Sequence, residues 1–144
     1  MKTLNGIAAG FAGAVVLTIT HQVLHHVFED APRMDLMGEE ALTKLSAKAG
    51  IAIPQKNLYD ITMAGDIAGN SMYYALAAAG NKKNATMRGI ILGFAAGIGG
   101  VLLPKKIGLT NSYSNRNYKT ILLTIGLYTL GGFVTGKISS AVGR

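Results

Sequence analysis

The chain has 144 residues, of which 49% are hydrophobic and only 15% charged, with a mean hydropathy of +0.32. The length fits one domain, residues 1–144, and the charge content falls well below the roughly 25% of a soluble domain, so the balance points to a membrane. The absence of cysteine excludes disulfides, thiolate metal sites and cysteine nucleophiles.

A formal charge of +7 raises the question of nucleic acid. The basic residues fall at the ends of apolar runs with no aromatic-basic surface beside them, so they are expected to flank membrane spans and not to bind nucleic acid. The glycines sit inside those same runs, where they let helices approach closely.

Met1-Lys2 followed by an apolar run has the outline of a signal peptide. The run is longer than the apolar part of such a signal, and no small-x-small cleavage site follows it, so it reads as a retained span. Span 1 is expected over Leu4–Phe28, with Gly6 and Gly10 as a GxxxG pair in its smooth first half. Its second half carries all three histidines. Thr18, His21, His25 and Glu29 fall on one helical stripe, and ionisable groups on a membrane helix raise a functional-site hypothesis because they are expensive without partners.

Residues 29–56 form the one long connection. Pro32 predicts a helix start, and an amphipathic interfacial helix should run to about Ala49, with Gly50 as its stop. Met34, Met37, Ala41, Leu45 and Ala49 share one face. Asp35, Glu39, Glu40, Lys44 and Lys48 are expected on the solvated ones. Span 2, Leu58–Gly80, is the most polar: Tyr59, Thr62, Asp66, Asn70 and Tyr73 follow helical spacing, beside a second GxxxG pair, Gly65 and Gly69.

A short turn leads to span 3, Met87–Leu103, with Gly89, Gly93 and Gly97 four apart and Pro104 as its expected end. A polar loop follows. Span 4 covers Lys119–Ala141, with Thr120, Thr124 and Tyr128 on one face, Gly132 and Gly136 four apart, and Lys137 near the end, where it can snorkel. Runs of this length match an apolar core of about 30 Å. The expected fold is therefore all-α: a polytopic membrane protein of four transmembrane helices packed through glycine-rich faces, of the bacterial inner-membrane type, with both termini on one side. Six basic residues fall on the side of the termini, Lys2 and Arg144 among them, and eight on the other. The positive-inside rule does not decide between those counts.

Gly6-Ile7-Ala8-Ala9-Gly10-Phe11-Ala12 aligns with Gly89-Ile90-Ile91-Leu92-Gly93-Phe94-Ala95, which points to a duplicated hairpin. Counted from the shared end of spans 1 and 2, His21 and Asp66 lie at nearly the same depth, about 11–12 Å in. His25 then falls near Thr62, and Tyr128 of span 4 is deep enough to donate to Asp66. The two stripes are expected to face each other.

Three readings of that cluster compete. It is structural, fixing helix register by buried hydrogen bonds. It holds a metal or haem: His21 and His25 present two imidazoles to Zn or Fe, completed by Glu29 or Asp66, or one histidine is an axial haem ligand. Or it relays protons. His21-Gln22-Val23-Leu24-His25-His26 resembles the HxxxHH box of membrane fatty-acid desaturases and hydroxylases. In that family several boxes together hold two irons, and the resemblance implies a di-iron site that this chain would have to complete with carboxylates or a second subunit. No GxSxG, HExxH, Walker or dinucleotide motif is present. A different class of function, an accessory or self-associating membrane subunit, is suggested by the glycine surface of span 3, which is expected to exceed what a four-helix bundle can bury; its partners would be the lipid bilayer, a homo-oligomer or a larger membrane complex.

Overall fold

The computed structural model describes residues 2–142, the side chain of Lys2 excepted, so that Lys2 and Arg144 as members of the basic count lie outside the described side chains. Regular structure among the described residues is entirely helical: α1 (Lys2–Val27), α2 (Met34–Lys48), α3 (Gln55–Ala75), α4 (Ala85–Lys106), α5 (Ser112–Asn115) and α6 (Tyr118–Ala141). Two short 3-10 turns, Leu76–Ala78 and Lys82–Asn84, join α3 to α4. Three helical stretches are long and apolar enough to cross a membrane: Thr3–Val27, Lys82–Lys106 and Tyr118–Ala141. Three of the four expected spans therefore have such a helix. α3 forms where span 2 was expected, yet Lys56, Asp60, Asp66 and Asn70 keep it below the apolarity of the others.

The long helices stand in the order α4, α6, α1, α3, each packed on the next, while α3 and α4 scarcely touch. Glycine sets the closest approaches. A Cβ on Gly89 would lie on the carbonyl of Gly132, and one on Gly93 on that of Tyr128, so α4 and α6 meet backbone to backbone. Gly10 meets the Ser71 carbonyl of α3 in the same way, and Gly13 meets Thr135 and Gly131 of α6. The aligned glycines therefore do the same work in both hairpins: Gly6 and Gly10 seat α1 on the α3 segment, and Gly89 and Gly93 seat α4 on α6. The glycine surface of α4 is thus taken up within the chain, which corrects the expectation that it exceeds what the bundle can bury. Gly65 and Gly69 of α3, by contrast, face open space.

Leu17, Tyr74 and Leu127 form the packed centre, and the Tyr74 hydroxyl donates to the Tyr128 carbonyl at 2.7 Å. Asn5, Gly80, Lys82 and Val142 line one hollow, so the two ends of the chain and the α3–α4 turn share one end of the bundle. At the other end α2 lies on α3. It buries Met37 as its periodicity predicts, but Leu45 stays exposed. Gly50 ends this segment with φ at +70°, which only glycine adopts cheaply.

α4 runs two residues past Pro104, although the proline was expected to end it. Pro104 has no N–H to offer the Gly100 carbonyl one turn back. That carbonyl accepts instead from the hydroxyl of Ser114 at 2.6 Å, on the short helix α5, which forms inside the expected polar loop. Asn117 then caps α6, its Oδ1 accepting from the Thr120 amide at 3.0 Å. Ser114→Ala is expected to lower stability by about 1 kcal/mol by orphaning the carbonyl. Melting curves beside Ser112→Ala, an exposed control, check this; equal curves for the two variants would mean that water satisfies Gly100.

Candidate functional site

His21 is the anchor of the site. It lies about three-quarters of the way along α1, is 5% exposed, and its Nε2 donates to the Pro32 carbonyl at 2.8 Å. That bond fixes the proton on Nε2, because a carbonyl only accepts. The carboxylate nearest to the ring is that of Asp35, with Oδ1 4.0 Å from Nε2. Asp35 is 7% exposed and was expected on a solvated face of the connecting helix; this is a correction. The turn after α1 folds Pro32 and the first turn of α2 back over His21, which carries Asp35 inward.

Arg33 neutralises it. Its Nε and Nη2 donate to the two carboxylate oxygens at 3.0 and 2.7 Å, a bidentate pairing. Burial pushes the Asp35 carboxyl up, but the Arg33 hydrogen bonds and a backbone amide outweigh it and hold the group below its ordinary range. The Arg33 amide in turn donates to the Tyr113 carbonyl at 2.8 Å, tying the pair to the α5 segment. Further bonds fasten the same end: Asn117 donates to Asp30 at 2.7 Å, Thr120 to the Asp30 carbonyl at 2.8 Å, and the Thr110 amide to Glu40 at 2.9 Å. The Asn117 bond, with Lys119 nearby, holds the Asp30 carboxyl below the usual range.

A small cavity of about 20 Å³ lies beside His21, lined among others by Thr18, Asp35, Thr62, Asp66 and Tyr128. The matched depth of His21 and Asp66 thus does bring both to one place, but the residue paired with His21 is Asp35. Asp66 is exposed, and the partner of its carboxylate is the Asn70 amide at 3.1 Å. Tyr73 donates to the Leu92 carbonyl of α4 at 2.9 Å.

The rest of the histidine stripe is dispersed. His25 stacks on His21 with ring centroids 6.0 Å apart and planes 26° from parallel. His26 donates from Nδ1 to the Gln22 carbonyl at 2.6 Å on the exposed side. Glu29 falls in the turn beyond α1 and is exposed, so the stripe stops at His25. Among the described residues no group of three His, Asp or Glu side chains is arranged to hold a metal ion. A volume near 20 Å³ admits something the size of one water molecule and not a porphyrin.

Comparison with protein-family models, with curated proteins and with solved structures finds no match. The site therefore has to be read from its own chemistry. Sequence reasoning missed Asp35 and Arg33, whose signal was present: an acid and a base two residues apart around a helix start, immediately after a proline.

Proposed function

We propose that the protein is an integral membrane protein in which α1, α3, α4 and α6 all cross the bilayer, packed through their glycine faces, and in which the His21–Asp35 pair takes up and releases a proton. The observation that carries this reading is a buried histidine whose Nε2 donates to a carbonyl and lies 4.0 Å from an ionised carboxylate, next to a water-sized cavity. Histidine changes charge near neutral pH, and Nε2 keeps its bond to Pro32 in both charge states, so the ring gains or loses a proton at Nδ1 without breaking its anchor. The cavity gives a proton a water-sized step between His21 and Asp66. In support of α3 as a span, its 21 residues reach about 31 Å at the usual helical rise, and it lies along α1.

Reconstituted vesicles with a pH-sensitive dye test the proposal. The wild type is expected to pass protons or to show a pH-dependent fluorescence change between about pH 5 and 8; His21→Phe is expected to abolish it, and His26→Phe, on the exposed side, to keep it. Two variants that behave alike would leave the pair as a structural bond only.

A second reading is favoured by the open glycines of α3. With Gly65 and Gly69 meeting nothing and Asn70 and Asp66 beside them, this face suits a second copy of the chain or a larger membrane complex. Cross-linking through Ala68→Cys in vesicles separates it from a monomer.

A further inference from the structure

We propose that the cavity between α1, α2, α3 and α6 binds one alkali-metal cation, Na⁺ by size, held by the carboxylate of Asp66 and the hydroxyls of Thr18 and Thr62. The inference rests on the reading of α3 as a membrane span.

The hydroxyls give the first indication. Thr43, Thr124, Thr129, Thr135 and Ser71 all donate to the carbonyl one turn back, the ordinary resting place for such a group on a helix. Thr18 and Thr62 do not. Their Oγ1 atoms are buried and have no hydrogen-bond partner, and both residues line the cavity. Thr62 as a whole is 7% exposed. Two buried hydroxyls that forgo the available carbonyls are explained by something in the cavity that takes their lone pairs.

Charge gives the second. Asp35 is matched by Arg33 and faces His21. Asp66 has no such partner: among the described residues no lysine, arginine or histidine nitrogen comes within salt-bridge distance of it, and only the neutral Asn70 amide bonds it. An ionised carboxylate in a span with no counter-charge is expensive, and one unmatched negative charge calls for one positive charge. The free donors are hard oxygens, whereas the His21 Nε2 is committed to Pro32, so the set suits an alkali cation and not a transition metal.

Size and closure agree. The cavity of about 20 Å³ takes a single small ion or water. α2 closes it from the loop end, where Gly38 allows the helix down onto the Thr62 methyl; a Cβ there would stand 2.7 Å from that methyl carbon. Asp66, the exposed member, forms the open side.

The test is melting of the purified protein in detergent, in NaCl against N-methylglucamine chloride at equal ionic strength. Na⁺ is expected to raise Tm by several degrees, saturably. Asp66→Asn and Thr62→Val should each abolish the rise while melting near the wild type in N-methylglucamine. Val is close to Thr in shape, so Thr62→Val decides the matter should Asp66→Asn not fold. An equal rise in both salts, or a Na⁺ rise that survives Thr62→Val, would overturn the proposal and leave a cavity filled by water. The span reading is checked apart from this: Lys56→Cys and Ala79→Cys, at the two ends of the α3 segment, should be labelled from opposite faces of a vesicle. The proton reading stands or falls on His21→Phe.

Discussion

Asp35→Asn is expected to lower the melting temperature more than any other change at the site. The substitution keeps the shape and removes the charge that Arg33 and His21 both face. Removing one member of a buried ion pair costs about 3–5 kcal/mol, because the other is left uncompensated. The Arg33 side chain is 35% exposed and can turn partly to water, which brings the expected loss to about 2–3 kcal/mol. Lys48→Gln, exposed at the far end of the same helix, should be within about 0.5 kcal/mol of the wild type. Equal melting of the two variants would show that Arg33 and Asp35 are held by the surrounding backbone and not by each other.

The same pair sets an acid limit. The folded carboxyl of Asp35 lies below its ordinary value of 3.8, so the folded state binds fewer protons there than the unfolded chain does. Its contribution is present above that value and is lost as the pH falls through the lowered one. Stability should decline below about pH 4, and Asp35→Asn should flatten that part of the profile.

Gly132→Val is expected to be more disruptive still. A Cβ at Gly132 falls on the carbonyl group of Gly89, and the obstacle is backbone on both sides, so no side chain can turn out of the way. α4 and α6 would have to part along their most extensive contact. Overpacking of a tight core costs about 1–3 kcal/mol where neighbours can move; here they cannot, and loss of about 3 kcal/mol or more, with aggregation in detergent, is expected. Gly126→Val, where a Cβ meets nothing, is the control and should melt near the wild type. Limited proteolysis of the two proteins side by side reads the difference. Comparable resistance would mean that the α4–α6 contact has slack.

Much of the helical plan was legible in the residues themselves. Long apolar runs specify α1, α4 and α6, and Pro32 and Gly50 bracket α2, because these are local preferences that each segment expresses alone. The spacing of Gly89, Gly93 and Gly97 marked a packing face for the same reason: a missing side chain is a property of the sequence. Depth along a helix is also local, and it placed His21 and Asp66 beside one cavity correctly.

What the tertiary structure decided is which groups meet. Asp35 looked solvated because its periodicity matches the polar face of an amphipathic helix, and only the fold of the turn at Pro32 rolls that first residue pair inward over His21. Glu29 looked like the next rung of the histidine stripe because spacing assumes an unbroken helix, and α1 ends two residues before it. Pro104 read as a stop because its lost hydrogen bond is visible in sequence, whereas the hydroxyl of Ser114 that replaces it arrives from a separate segment. Periodicity reports the face a residue occupies on its own helix. Which partner covers that face depends on chain crossings that no single segment encodes.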